Sequence, residues 1–365
     1  MNKIKNCEKK LANMHNVKYC ILTGRGATAL WLAYLLIKKN RKKVIIPNII
    51  CPSVLFTLIL ADCEPIFVDV LERDSTLDPD KVKKLLNKNS DIGAVVMAHI
   101  YGYSASILEI KRICRQKKVI LIEDAAQSFG GKFQDNSFLG SKGDVSILSF
   151  GHSKILDVGE GGALLTNNSG YASRIRKMND KIKENNSDSR KISKLYKKLY
   201  YMIIQLTKSN KEHYKFFDSF PYFFKNLYIK KISNKTAMLI DKSLNRLSME
   251  IKHRKKIYQI YVMGLKNNKY VKLFKPIGYG VPWRFSFRIK KSKRDIILEK
   301  IRKKGFDVSS WYPSIMYFNK IGRYNKVKDF VISNLIEKEV VNLWVTRSYS
   351  QKKAQQLVSY INKIL

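Results

Sequence analysis

The first half of the chain repeats one pattern: a short β-branched or apolar run, a longer amphipathic stretch, then another run. Strand candidates are Tyr19 to Leu22, Val44 to Ile46, Ile66 to Val68, Ala94 to Met97 and Val119 to Ile122; between them Ala27 to Lys38, Asp78 to Leu86 and Ser106 to Gln116 carry helical spacing. Runs this short and this apolar become strands buried on both faces, and helices alternating with them build βαβ units. The pattern predicts an α/β fold: a mixed, mostly parallel sheet with helices on both faces. Asp78-Pro79 fits a helix start, with Asp as cap and Pro at the first helical position. Val145 to Phe150 and Gly162 to Thr166 read as two further strands joined by a glycine-containing loop. Ligands of such sheets bind beyond the carboxyl ends of the strands. The stretch LIEDAAQSFGG puts Glu123 and Asp124 at such an end. Acids held there need a cation, a metal or a water-filled cleft.

With 365 residues, 45% of them apolar, the chain can bury a large domain and a smaller one. Its 70 basic against 29 acidic residues leave a net charge of +41. Such a balance attracts anionic partners, but the lysines are spread along the whole chain and no zinc-finger, basic-zipper or RRM-type motif accompanies them. Nucleic-acid binding is therefore not indicated. The five cysteines are scattered, without a C-x-x-C pair or a histidine cluster, so neither a disulfide framework nor a zinc site is indicated. The amino-terminal basic residues precede no apolar run, and no stretch of about 18 apolar residues occurs. The expectation is a cytoplasmic chain without signal peptide or membrane span.

The pattern changes between Arg190 and Lys231, where 11 Lys and Arg face only Glu212 and Asp218 and the pairs Tyr200-Tyr201, Phe216-Phe217 and Phe223-Phe224 are interleaved. Such a segment can lie on an anionic membrane, or it can be a helical insertion whose rings pack on their own domain. Helical spacing resumes over Thr236 to Leu265, followed by a strand candidate, Trp283 to Ile289, and helices over Lys293 to Lys304 and Gln351 to Ile364. The expected organisation is a large domain over 1–185, a basic aromatic insertion over 186–235 and a small α+β domain over 236–365.

The chemistry-bearing residues begin with TGRGATAL, Thr23 to Leu30, which follows a strand candidate and opens a helix. Gly24, Gly26 and Ala29 match the dinucleotide fingerprint, but no Asp or Glu occurs from Gly24 to Ala61 to hold a ribose, and no Gly-Lys-Ser/Thr follows. What remains is a turn whose small residues let helix amino-terminal amides hold a phosphate. In SFGHSKILDVGEGG, Lys154 lies between two strand candidates, in chain reach of Asp124. A lysine in a partly desolvated pocket favours its amine form and can attack a carbonyl. An acid for a ring nitrogen, a lysine for an aldehyde and a phosphate-holding turn together describe a pyridoxal 5'-phosphate site, whose pyridinium would be the cation awaited by Asp124.

The set GRGATAL, IIPNIICPSVLFTLILADCEPIFVDV, EDAAQSFGG and SFGHSKILDVGEGGALLTN resembles, in order and spacing, the DegT/DnrJ/EryC1/StrS family of pyridoxal phosphate-dependent sugar aminotransferases. The resemblance covers residues 7 to about 170 well, and 236–365 more loosely, through GFDVSSWYPSI and VVNLWV. It implies the aspartate aminotransferase type I fold and a homodimer with active sites at the interface. By position, Lys154 resembles the cofactor-bonding lysine, Asp124 the partner of the pyridine nitrogen, Gln127 a residue near the ring and Ser149 a phosphate contact; Gly26 and Ala27 resemble the backbone phosphate grip. Ala27 stands where the family usually has Thr, and Cys51 where many members stack an aromatic on the ring. The G-x-N-x-R stretch that reaches a partner's site is not found between Lys231 and Asn245. The resemblance implies amino transfer from glutamate or glutamine to a nucleotide-linked keto-deoxysugar, for surface polysaccharide or lipopolysaccharide assembly. The rival expectation is a catalytically weak member that joins polysaccharide assembly as a membrane-associated partner, docking on anionic lipid through residues 190–231.

Overall fold

The structure, a computed structural model, describes residues 3–183, 189–276 and 278–365, so the expected 185/186 boundary lies outside the described residues. Strands β1 (Tyr19–Thr23), β2 (Lys43–Pro47), β3 (Glu64–Val68), β4 (Ile92–Ala98), β5 (Ile120–Asp124), β6 (Val145–Ser149) and β7 (Gly162–Thr166) form one seven-stranded sheet in the order β1-β7-β6-β5-β4-β2-β3. Only β7 runs antiparallel to its neighbours, β1 and β6. Every strand predicted for this half is present, most of them lengthened by a residue or two.

Side chains alternate across the sheet, and the two faces bury separate cores. Val44, Ile46, Ala94, Val96 and Ile122 face helices α2 (Gly26–Tyr34) and α3 (Pro52–Leu60). Ile45, Val95, Met97 and Leu121 face α4 (Pro79–Lys88) and α5 (Ile107–Gln116). The cap of α4 is the predicted one: Asp78 accepts from the Asp80 and Lys81 amides, with Pro79 next.

Three features differ from expectation. An amino-terminal helix, α1 (Lys3–His15), buries Cys7, Leu11 and Ala12, although its composition reads as merely basic. The single helical run expected over Thr236 to Leu265 is two helices, Asn234–Leu244 and Leu247–Leu265. The break redirects the chain between two partners, because Ala237 and Ile240 pack with Leu11 while Ile257, Tyr261 and Leu265 pack with Leu357 and Ile361. The carboxy-terminal sheet has, among the described residues, four antiparallel strands in the order Val308–Ser309, Val340–Leu343, Phe285–Ile289, Val271–Leu273.

The basic aromatic segment is a 21-residue helix, Ser189–Ser209, and a return path of short helical turns ending at Tyr228. Its buried rings pack on the domain: Phe217 stacks on Phe318 at 4.2 Å, and Phe220 meets Phe56 at 5.6 Å. The chain after it is tied down at α2, where Thr28 Oγ1 donates to Tyr228 O at 2.8 Å and the Gly24 amide donates to Lys230 O at 2.9 Å.

Candidate active site

A cavity of about 430 Å³ opens at the carboxyl ends of β5 and β6, and its lining includes Gly26, Ala27, Cys51, Asp124, Gln127, Ser149 and Lys154. Glu123 is absent from that lining, and strand geometry explains why: adjacent residues of β5 point to opposite faces. Asp124 follows Ile122 toward α2 and α3, and Glu123 follows Leu121 toward the other face.

The two acids are satisfied differently. Glu123 is fully buried and accepts from His99 Nε2 at 2.9 Å, the Gly140, Lys142 and Gly143 amides at 2.7 to 2.8 Å, and Ser146 Oγ at 3.0 Å. Burial alone would raise its pKa, but His99 and these amides outweigh that and hold it below the ordinary glutamate value. His99 accepts from the Ala105 amide at Nδ1, which leaves the ring proton on Nε2 for Glu123. Asp124 accepts from the Ala126 amide at 2.9 Å and has no ion pair within 4 Å among the described residues. Burial pushes its carboxyl above the usual aspartate value, against the pull of that amide, Lys154 and His99. A carboxylate in this condition is stabilised by any cation set against it.

The phosphate end is built from α2 and β6. The α2 amino terminus has extended Arg25 at its cap and no side-chain cap, so its first-turn amides keep their anion-binding capacity. Gly26 is packed so tightly on β6 that a Cβ there would lie 2.7 Å from Ser149 Cβ and 2.9 Å from Ser149 Oγ. Residues that the sequence separates by 123 positions are thus in contact. The Thr28 hydroxyl anchors the returning insertion, while Ala27 lines the cavity.

Lys154 sits on a loop held from outside the sheet. Trp283 Nε1 donates to Ser153 O at 2.7 Å, and Arg254 Nη2 donates to Lys154 O at 3.4 Å. Within the loop, Asp157 accepts from the Ser153 and Gly159 amides, each at 2.8 Å. Gln127 accepts from the Tyr101 amide at 3.0 Å through Oε1, which fixes its side chain at the cavity wall. His99 and Tyr101 have structural roles, the latter donating to Trp311 O at 2.9 Å, whereas Trp311 itself lines the cavity.

Several lining residues carry no local signal. Tyr196, Tyr200 and Tyr201 come from the Ser189–Ser209 helix, and Trp283, Arg284 and Trp344 from the carboxy-terminal sheet region. The insertion therefore walls the cavity within the same chain, and Tyr200 stacks against Trp311 at 6.1 Å. Rings near Cys51 come from these distant segments rather than from position 51. The sequence signals for the tyrosines are the Tyr200-Tyr201 pair and the spacing of Tyr196 and Tyr200, one helical turn apart.

An uncapped helix amino terminus facing a serine, a lysine on an anchored loop and a buried acid with no cation paired to it among the described residues have the chemistry that pyridoxal 5'-phosphate requires: α2 and Ser149 could hold its phosphate, Lys154 could meet its aldehyde carbon and Asp124 its ring nitrogen.

Comparison with known proteins agrees. The profile of the DegT/DnrJ/EryC1/StrS aminotransferase family matches residues 2–362. The chain is 25% identical over 319 residues to GDP-perosamine synthase from Escherichia coli O157:H7, covering 78% of this chain and 83% of that protein. It is 29% identical over 159 residues to L-glutamine:2-deoxy-scyllo-inosose aminotransferase from Streptomyces kanamyceticus, covering 43% of this chain and 36% of that protein. A solved DegT DnrJ EryC1 StrS aminotransferase from Brucella abortus superposes with a TM-score of 0.79 at 21% identity, covering 100% of this chain and 90% of that one. That likeness shows the fold: the α/β architecture of pyridoxal phosphate-dependent aminotransferases.

Proposed function

The chain belongs to the DegT/DnrJ/EryC1/StrS family of pyridoxal phosphate-dependent aminotransferases, and we propose that it transfers an amino group from an amino acid, glutamate or glutamine, to a keto-deoxysugar carried on a nucleotide, for surface polysaccharide or glycoconjugate synthesis. The observation that carries this reading is the meeting of Asp124, Lys154, Ser149 and the α2 amino terminus around one cavity.

When bound, pyridoxal phosphate supplies the electron sink that stabilises a carbanion on the donor's α-carbon. The chain's part is positioning and proton transfer. The α2 amides of Gly26 and Ala27, with Ser149 Oγ, would hold the phosphate, and Cys51 and Gln127 would border the ring. The Asp124 carboxylate, whose charge burial disfavours while it stands without a cation, would keep a proton on the ring nitrogen set against it. Lys154 Nζ takes the proton from the donor's α-carbon and returns one to the sugar carbon that accepts nitrogen, as general base and then acid. The donor's α-carbon gives up its nitrogen and takes oxygen from water, becoming the carbonyl of a keto acid, while the sugar's carbonyl oxygen leaves as water and its carbon takes the nitrogen, giving an amino sugar.

One relative's name carries a nucleotide and the other's does not. A second cavity of about 730 Å³ favours the nucleotide here. It shares Arg25, Ala27 and His152 with the first and adds Lys194 and Lys235, point charges suited to a diphosphate. The site at a homodimer interface is likewise proposed, as is the division into 1–185, 186–235 and 236–365: the separate core of Ile257, Phe285 and Leu357 supports a small domain, whereas Asn234–Leu244 packs with Leu11, and Phe217 and Phe220 share the core of the large domain.

Lys154→Arg keeps the charge and removes the amine. Borohydride reduction and peptide mapping of the wild type should find the cofactor on Lys154, and the variant should neither retain it covalently nor aminate; transamination by the variant sinks the assignment. Peripheral docking on anionic membrane is a second reading, favoured by Tyr222 and Phe223, 59% and 69% exposed. It predicts salt-sensitive sedimentation with anionic liposomes that Tyr222→Ser with Phe223→Ser abolishes. Among the described residues, no helix is long and apolar enough to cross a membrane.

A further inference from the structure

Arg284 precedes the strand Phe285–Ile289, lines the cavity with Lys154 and is only 2% exposed. Guanidinium groups buried this deeply are ordinarily paired. Its neighbours obey: Arg254 meets Glu250 at 2.7 Å, and Arg288 meets Glu72 and Glu339 at 2.9 and 2.8 Å. Arg284 has no carboxylate within 4 Å among the described residues. Its Nη1 donates to Trp283 O at 3.1 Å, and its Nε is buried without a partner. The guanidinium lies between two indoles, 4.6 Å from the Trp283 ring centre and 4.1 Å from that of Trp344.

Ring faces recover only part of the hydration a guanidinium loses on burial. Burial, with Arg254 adding repulsion, pushes the Arg284 pKa down to about 10, so the group is still charged near neutral pH. What is missing is an anion. Indoles cover ring-face contacts of a guanidinium and leave its N–H edge for binding, and a fork of parallel N–H donors matches a carboxylate with two oxygens.

Two anionic groups enter if the aminotransferase reading holds, on which this inference rests: the donor's α-carboxylate and the acceptor's diphosphate. The second cavity, with its lysines, does not include Arg284. The α-carboxylate, by contrast, is bonded to the carbon that bears the transferred nitrogen, so it must lie in the same cavity as Lys154. Trp283, one of the two rings flanking Arg284, also holds the lysine loop through Ser153 O. We infer that Arg284 is the receptor for the α-carboxylate of the amino-acid donor, and that Trp283 and Trp344 hold its fork edge-on to the cavity.

The test is calorimetric titration of the cofactor-loaded protein with 2-oxoglutarate, which carries the carboxylates without the amine, and in parallel with pyrophosphate. Wild type should bind 2-oxoglutarate; Arg284→Gln should weaken it by about 30-fold or more, and Arg284→Lys, which keeps charge without the fork, by about 10-fold. Pyrophosphate affinity should stay within about threefold. No binding of 2-oxoglutarate by wild type overturns the inference whatever the variants' folding. So does equal affinity in a folded Arg284→Gln or Arg284→Lys, or a loss confined to pyrophosphate. Failure of the acceptor assignment is separately visible: a protein that binds 2-oxoglutarate through Arg284 but aminates no nucleotide-linked keto sugar keeps this inference and loses that one.

Discussion

The neighbouring acids Glu123 and Asp124 should respond to the same amide substitution in opposite ways. Glu123 accepts five hydrogen bonds, two on Oε1, from His99 Nε2 and the Gly140 amide, and three on Oε2, from the Lys142 and Gly143 amides and Ser146 Oγ. In Glu123→Gln the remaining oxygen can keep the group of three, and the new NH₂ then faces two donors. Each buried donor left unpaired costs about 1–3 kcal/mol, so the variant should lose about 4 kcal/mol of stability. Asp124→Asn keeps the acceptor for the Ala126 amide and removes a charge that burial disfavours, so the cofactor-free protein should change by less than about 1 kcal/mol, or gain. The pH dependence also separates them. Glu123, with its folded pKa lowered, contributes stability that is present above its unfolded pKa, about 4.3, and is lost as pH falls through the folded one. Asp124, with its folded pKa raised, costs stability as pH rises through that value, because the folded state then holds more protons than the unfolded chain. Urea unfolding of the cofactor-free proteins, read as midpoint shifts between pH 4 and pH 8, measures both. Activity should invert the order: Asp124→Asn should lose amination by about 100-fold or more, since the acid proposed to face the ring nitrogen is gone. A loss below about 1 kcal/mol in Glu123→Gln, or a large loss in cofactor-free Asp124→Asn, would refute the division of roles.

Two further perturbations test the walls of the cavity. Gly26→Ala sets a Cβ 2.7 Å from Ser149 Cβ and must displace one side of the phosphate grip; pyridoxal phosphate affinity, followed by absorbance titration, should fall about 10-fold or more while affinity for unphosphorylated pyridoxal stays level. Tyr200→Ala removes a ring that is 5% exposed and packed 5.5 Å from Phe217 and 6.1 Å from Phe318; it should cost about 3–4 kcal/mol in denaturant unfolding, and an unchanged midpoint would place the insertion outside the folded core.

Local spacing in the chain determined most of the large sheet, because a buried parallel strand is a short apolar run and a helix start needs its cap beside it, as at Asp78-Pro79. The same locality marked Gly26, Asp124, Ser149 and Lys154 as candidates, since each stands in a motif read within a dozen residues, and the structure brings them around one cavity. What a chain reading cannot supply is which face an element turns and what meets it. The aromatic insertion could have turned outward or inward, and long-range packing on Phe56 and Phe318 settled it for Phe217 and Phe220, though Phe223 stays exposed. Thr236 to Leu265 reads as one helix because helical spacing persists throughout, yet two cores lying in different directions divide it. The separate fates of Glu123 and Asp124 needed the sheet, since alternation sends them apart only once both faces have their own partners. Arg284 was silent for the same reason: a lone arginine in a basic sequence acquires meaning only when burial removes its water and tertiary structure brings two indoles to its side and, among the described residues, no carboxylate within 4 Å.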